Sequence, residues 1–350
     1  MTGSTSASAN NSTERAPVAE SSLHGTRVLV TGADGFIGSH LVERLVAEGA
    51  DVRAFCLYTS QGTLGWLDTV PVETRAGLDI RLGDIRDARF VEEATVGVDI
   101  ILHLAALIAI PYSYVAPESF IDVNVRGTLN VLEGARRAGV RRFVQTSTSE
   151  VYGTPASLPI VEDHPLKAQS PYAASKVAAD QLTLAYHDTY GLPATILRPF
   201  NTYGPRQSVR AVLPTMLRQL LAGRREIRLG RLDTARDLTF VADTVDGFIR
   251  AAVAADIDGR TIQLGTGRSE TIGDVFDLAC RILGVEATAV LDEDRLRPGA
   301  SEVLVLRSDP GLAAQLLDWR PTTSLEDGLR ATIDWLRRSP ELGAVDRVQL

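Results

Sequence analysis

Short apolar runs alternate with helix-period segments along most of this chain. RVLV (27–30) is followed by a helical pattern over 36–48, then by DVRAFCLY, a short strand IRL, a helix near 87–95 and DIILHLA. The rhythm continues with a long helix near 118–138, the strand RFVQTS, a helix near 171–190 and the strand ATILRP. Strand runs separated by helices predict βαβ units, hence a parallel sheet covered on both faces. After Pro199 the pattern loosens into Pro/Gly/Arg-rich loops, a helix near 212–222 and the strand-like EIRLG. LTFVADTVDGFIRAAVA and TIQLG then read as a return to the main sheet. From 269 three more helices are predicted, the last opening at Ser324 with Asp327 three residues on as a capping box. The expected fold class is therefore α/β, a Rossmann-like doubly wound parallel sheet with a smaller mixed α/β C-terminal domain. The larger domain is expected at 25–199 plus 238–267, and the smaller at 200–237 plus 268–342. Residues 1–24, rich in Ser, Thr, Asn and Ala, read as a disordered tail.

Composition narrows the function classes. A chain of 350 residues with 45% hydrophobic and 23% charged residues has the make-up of a globular protein. Its net charge of −8 argues against gripping nucleic acid or an anionic membrane. The two cysteines, Cys56 and Cys280, are too far apart in sequence for a disulfide framework or metal-ligand spacing, which fits a reducing cytoplasm. No run is long enough to span a membrane, and the N-terminus lacks the apolar stretch of a signal peptide. The five histidines are scattered; His103 falls in a strand and reads as core, so no metal site is expected.

Chemistry enters with TGADGFIGSHL, which places Gly32, Gly35 and Gly38 between the first strand and an amphipathic helix. Glycines there permit a tight turn, close approach of a pyrophosphate to backbone N–H groups, and close helix–strand packing. The spacing is GxxGxxG, and a packing turn is the plain alternative. The acidic residue expected about 20 positions on, to accept from the adenosine ribose, is absent: the second strand ends Phe55-Cys56-Leu57-Tyr58-Thr59. Asp84, in GDIRD, is placed to contact the adenine or ribose, or equally to form a turn. SPYAASK puts Tyr172 and Lys176 on one face of a helix whose N-cap is Ser170. A nearby ammonium and a helix N-terminus both favour phenolate. TSTSE (146–150) ends a core strand in hydroxyls and a carboxylate, which without the Tyr/Lys pair would read as a hydroxyl-rich turn.

TGADGFIGSHL, HLAA (103–106), NVRGTLN (124–130), TSTSEVYG, YAASK and RPFNTYGPR (198–206) together resemble, in order, the extended short-chain dehydrogenase/reductases that act on nucleotide sugars. The resemblance covers about 27 to 338. AALIAIPYSY, AQSPY, PFNTYGPRQS and RLRPGASEV look most similar to NAD-dependent 4,6-dehydratases of the legionaminic-acid type, which act on nucleotide-linked N-acetylglucosamine; CLYTSQGTLGWLD keeps only part of that subgroup's run.

This resemblance implies NAD as cofactor, with NADP open, and contacts to it from Gly32, Asp34, Gly35, Phe36, Ile37, Gly38, Asp84, Ile85, Leu104, Ala105, Ala106, Asn124, Thr146, Tyr172, Lys176 and Pro199. It implies that Tyr172 removes the sugar 4-OH proton, with Thr148 bonded to the same hydroxyl and Lys176 on the nicotinamide ribose. Glu150 would take the C5 proton as the C6 hydroxyl leaves, its own proton or a water relayed through Ser149 serving as the acid. Asn201, Arg206, Arg236 and Arg297 look like contacts to the nucleotide and diphosphate, a solvated charge being the plain alternative, above all for Arg206. The rivals are a 4-epimerase, which needs no base at 150, a uronic-acid decarboxylase, which also shows Thr-Ser-Glu, and a catalytically silent NAD-binding scaffold. Helices near 118–138 and 171–190 resemble those that pair in the family's homodimers, though their apolar positions serve equally as intrachain core.

Overall fold

The computed structural model describes residues 23–339. The tail expectation for 1–22 and the domain end at 340–342 lie outside the described residues. Leu23, assigned to the tail by composition, is buried in the core.

Six strands, β1 (Arg27–Thr31), β2 (Asp51–Leu57), β3 (Asp79–Gly83), β4 (Ile100–His103), β5 (Arg142–Thr146) and β6 (Ala194–Pro199), join strand Thr261–Leu264 in one seven-stranded sheet. Every pairing in it is parallel, and the order is Thr261–Leu264, β6, β5, β4, β1, β2, β3. The chain winds outward from β1 to β3, then crosses back to β4 on the other side of β1. That reversal opens a crevice beyond the carboxyl ends of β1 and β4, where open α/β sheets bind their ligands. Both faces are covered. One core gathers Val28, Val30, Leu41, Leu45, Ile100, Val245 and Phe248; the other holds Leu29, Ile101, Phe143, Leu132 and Ala135.

A separate apolar cluster forms around Leu213, Met216, Leu217, Ile227, Val275, Phe276, Leu329 and Ile333. Small strand pairs sit with it: Asn201–Tyr203 with Leu238–Phe240, Glu226–Leu229 with Thr288–Leu291, and Ala235–Arg236 between Glu270–Thr271 and Val305–Leu306. The last helix, Leu325–Arg337, starts at Ser324 as the sequence predicts, the hydroxyl accepting from Asp327 N–H at 3.1 Å. The reciprocal half of the predicted capping box is not made; a full one forms at Thr271 and Asp274. Trp335 of the last helix meets Trp66 edge-on, with ring centroids 5.5 Å apart. Trp66 belongs to a single turn, Gly65–Thr69, in the segment after β2.

Two helical regions depart from the sequence reading. The segment after β4, read as loop, contains the helix Ile110–Val115, whose Pro111 sits in the first turn. The predicted long helix at 118–138 is three pieces: an α-turn Pro117–Phe120, a π-helical stretch Ile121–Gly127, and the α-helix Thr128–Ala138. π-Turns occur mostly as local bulges and often at functional sites. Here the bulge carries Asn124.

Candidate active site

The glycine turn is closed by sterics. Gly32 has φ +69°, and a Cβ there would stand 2.8 Å from Ala105 N; a Cβ on Gly38 would stand 2.1 Å from the Gly32 carbonyl oxygen. No larger residue fits either place, and the turn is half-exposed at Gly32, Asp34 and Gly35 while Ala33 and Gly38 are buried. The helix Phe36–Ala47 begins there without a side-chain cap, leaving its first N–H groups open to an anion.

Beneath this turn runs a buried polar chain. Thr31 Oγ1 accepts from the N–H groups of Leu104 and Ala105, both at 3.1 Å, and bonds His103 Nδ1 at 2.7 Å. His103 Nε2 meets Thr128 Oγ1 at 3.1 Å, and Thr128 donates to the Asn124 carbonyl at 2.6 Å. Since the Thr128 proton is committed to that carbonyl, its oxygen accepts from Nε2–H, which fixes the tautomer of His103 and makes Nδ1 the acceptor of the Thr31 hydroxyl. Burial drives the His103 pKa down to about 3, with the Lys176 charge adding to the effect, so the ring is neutral. The sequence reading of His103 as core held its place but not this network.

Asn124 is turned inward. Its Oδ1 accepts from Leu107 N–H at 2.8 Å, while Nδ2 donates to the Leu107 carbonyl and to Ser175 Oγ, both at 2.9 Å. It ties the loop leaving β4 to the helix Pro171–Tyr190, with its amide spent on protein partners.

That helix begins as the sequence predicts. Ser170 accepts from Ala173 N–H and Pro171 opens the first turn. Tyr172 and Lys176 are both buried and face the end of β5. Past the end of β5, Ser147 and Thr148 both turn toward the helix Pro171–Tyr190, to partners two turns apart. Ser147 points back to Asp180 Oδ2 at 2.7 Å, whereas Thr148 hydrogen-bonds the Tyr172 hydroxyl and accepts from Glu150 N–H at 3.2 Å. Ser149 is buried in the single turn Ser149–Tyr152. Thr146 Oγ1 and Asn201 Oδ1 are buried without a protein partner. Polar atoms so placed require a ligand or water to satisfy them.

Charge in this site departs from expectation. Burial raises the Tyr172 pKa strongly; the Thr148 hydroxyl works against this, and the charges of Glu150 and Asp180 reinforce it. Lys176, lowered by burial to about 8 despite the Asp180 carboxylate, donates to the Thr146 carbonyl at 2.8 Å. In the protein alone, burial and the nearby carboxylates oppose ionisation of Tyr172, while the Thr148 hydroxyl favours it.

Sequence reasoning missed Asp180, one turn beyond Lys176 on the same helical face. It is fully buried against Arg198, whose Nη2 stands 2.9 Å from its Oδ2, and Arg198 also donates to Tyr152 Oη at 2.9 Å. A short acid repeating the Tyr172–Lys176 interval inside an otherwise small, apolar helix face was the available signal.

Of the four residues read as nucleotide contacts, Arg206 is tied elsewhere. It is buried, has φ +67°, and pairs with Glu43 at 2.5 Å and Ser39 at 3.3 Å on the first helix. It is neither a solvated charge nor an open anion contact; it fastens the loop after Tyr203 to the glycine-turn helix. Arg297 lies 3.5 Å from Glu150, and its buried Nη1 makes no hydrogen bond. Arg236 is buried 3.4 Å from Glu302 and feels both Glu150 and Arg297. Asp84 forms a turn, accepting from Arg86 N–H at 2.9 Å, and is also held by the Arg86 guanidinium at 2.6 Å. Pro199 closes β6, while Ile85 is buried beside the helix Thr128–Ala138. Phe36 and Ile37 open the first helix, and Leu104, Ala105 and Ala106 form the half-buried strip after β4.

Among the described residues no group of His, Cys, Asp and Glu is arranged to hold a metal ion, and no helix is long and apolar enough to cross a membrane.

Comparison with known proteins accords with this architecture. The family model described as GDP-mannose 4,6 dehydratase matches residues 29–332. UDP-glucose 4-epimerase of Mycolicibacterium smegmatis is 35% identical over 321 residues, spanning 90% of this chain and 100% of that protein. The dTDP-glucose 4,6-dehydratase of Streptomyces venezuelae, solved with NAD bound, has a TM-score of 0.79 at 33% identity, covering 90% of this chain and 98% of its own. UDP-glucuronic acid 4-epimerase of Bacillus cereus, solved with UDP-glucuronic acid and NAD, has a TM-score of 0.81 at 28% identity, covering 89% and 99%. With its sheet order, glycine turn and Tyr/Lys helix in this company, the chain belongs to the extended short-chain dehydrogenase/reductase family of nucleotide-sugar dehydratases and epimerases.

Proposed function

We propose that this protein is an NAD-dependent 4,6-dehydratase of a nucleotide-diphospho-sugar, with UDP- or GDP-N-acetylglucosamine as the substrates to test first. The observation that carries the reading is Glu150: one short turn holds its carboxylate beside the Thr148–Tyr172 pair, and epimerisation at C4 needs no such base. NAD fits the chain on physical grounds, because the turn at Gly32 and Gly38 excludes any Cβ and Thr146 Oγ1 is buried without a partner. Dehydratase and epimerase relatives solved with NAD support the same cofactor.

When bound, NAD supplies a hydride acceptor for C4 and a hydride donor for C6. Tyr172 accepts the 4-hydroxyl proton, and Thr148 orients that hydroxyl. Tyr172 is a poor base while it is buried with two carboxylates nearby, so positive charge must join the site before it acts. Lys176, now on the Thr146 carbonyl, is the protein's source of that charge. With C4 oxidised, Glu150 takes the C5 proton and the C6 hydroxyl departs as water. Glu150, directly or through Ser149, would hand that proton to the departing hydroxyl, and C5 would take up a solvent-exchanged proton once C6 is reduced. Lys176, Thr146 and the glycine turn would hold the cofactor; Asn201, Arg236 and Arg297 would hold the nucleotide diphosphate. We further propose a homodimeric assembly and a reducing, cytoplasmic setting, which rest on the family resemblance and on the two unpaired cysteines.

A second reading follows from Arg297. A guanidinium 3.5 Å from Glu150 stands where a C6 carboxylate would be welcome, so UDP-glucuronate is the rival substrate, for epimerisation or decarboxylation.

Mass spectrometry of the product formed in deuterated water from UDP-N-acetylglucosamine, GDP-N-acetylglucosamine or UDP-glucuronate separates these readings. Loss of water with one deuterium at C5 is the expected result. Loss of carbon dioxide, or unchanged mass with inverted C4, would overturn it.

A further inference from the structure

Rossmann sheets place an acidic residue at the carboxyl end of β2, where it accepts from the adenosine ribose. Here β2 ends at Leu57, and residues 54–65 carry no charged side chain at all. Leu57 and Tyr58 are largely exposed, so neither fills the place with a buried acceptor. Asp84, just past the end of the neighbouring strand, is occupied by two nitrogens of the Arg86 guanidinium, Nε and Nη2.

A carboxylate nonetheless stands at this strand end, and it comes from the glycine turn. Asp34 Oδ2 accepts from Leu57 N–H at 3.3 Å. The turn that carries it is itself fastened to β2, since Gly32 N–H and Ala33 N–H both donate to the Phe55 carbonyl, at 3.0 and 3.3 Å. From the other side, Trp66 N–H donates to the Asp34 carbonyl at 2.9 Å. Gly65, at φ +55°, packs so closely that a Cβ would lie 2.5 Å from that oxygen. Asp34 is therefore held in place. Its carboxylate accepts from the N–H groups of Leu57 and of Asp34 itself, two bonds that oppose the upward push of burial on its pKa. They leave about two of the roughly four lone-pair sites of a carboxylate open. Its proximity to β2 shows again at Cys56, whose thiol is pushed up to about 12 by burial and next by the Asp34 charge.

We propose that Asp34 replaces the missing acid after β2 as acceptor for the adenosine ribose hydroxyls, and thereby selects NAD against NADP. This rests on the dinucleotide-binding reading above. A 2′-phosphate placed against Asp34 would meet like charge, and no Lys or Arg in 54–65 is available to neutralise it.

Isothermal titration of the full, nucleotide-free chain with NAD and with NADP tests this directly. The expected result is NAD bound about 100-fold tighter than NADP, with Asp34→Asn weakening NAD about tenfold and narrowing the ratio by as much. Asparagine keeps the acceptor for Leu57 N–H, so the turn should survive, and an unchanged melting temperature checks this. In the background of Asp34→Asn, Tyr58→Arg should further improve NADP. Asp34 loses its assigned role if NAD binds but the variant leaves both affinities within twofold, or if the wild type binds NADP as tightly as NAD. Should neither nucleotide bind the wild type, the dinucleotide reading itself fails.

Discussion

Burial, joined by the charges of Glu150 and Asp180, pushes the Tyr172 pKa up against the Thr148 hydroxyl. Spectrophotometric titration of the nucleotide-free protein should show no tyrosinate from Tyr172 across the neutral range, and addition of NAD should move its ionisation downward. Lys176 behaves inversely. Its folded pKa of about 8 lies below the ordinary 10.5. The unfolded chain therefore binds more protons between those values, so the strain of burying the ammonium is fully present below pH 8 and is relieved as pH rises toward 10.5. Lys176→Met should accordingly raise the stability of the nucleotide-free protein below pH 8, on the order of 1–3 kcal/mol, and abolish turnover; paired melts from pH 7 to 10 would show the gain shrinking. Glu150→Gln should cut product formation by roughly 10³-fold while substrate still draws NADH absorbance, because only the C5 step is lost. Tyr172 and Lys176 were legible as a pair because helical spacing set their face, and Thr148 through its place at the end of a core strand. Asp180 and the tautomer of His103 were not, since both depend on partners about 18 and 25 or more residues away.

At the scale of elements, the glycine turn is the least tolerant piece. Gly38→Ala would drive a methyl group into the Gly32 carbonyl at 2.1 Å, backbone against backbone, so a loss of at least ~2 kcal/mol and of NAD binding is expected in melts and titration. The βαβ rhythm made all seven strands of the main sheet readable: the inner strands form continuous apolar runs because both faces are covered, whereas the edge strand β3 was carried by its place in the rhythm. The π-helical stretch at 121–127 was not readable. It presents the Asn124 amide to Leu107 and Ser175, and nothing in the local period NVRG announces that. The helix Ile110–Val115 escaped for a related reason, since six residues give too little periodicity to distinguish a helix from a loop.

For the whole molecule, association is the open quantity. Val115, Ile121, Leu129 and Tyr190 are exposed apolar side chains on the helical segments between 110 and 190. Light scattering should give about twice the 37.7 kDa chain mass, and Ile121→Asp should halve it; a wild-type value at the monomer mass ends the homodimer proposal. The edge-on pair of Trp66 and Trp335 has a further use. Trp66 is bound through its backbone to Asp34, and Trp335 packs on the separate core around Phe276 and Ile333, so the two indoles span the molecule's halves. Ring centroids 5.5 Å apart couple electronically, which gives the protein a built-in optical gauge. Near-ultraviolet dichroism and tryptophan emission should then register both occupancy of the glycine turn and any shift of one half against the other, with no label attached.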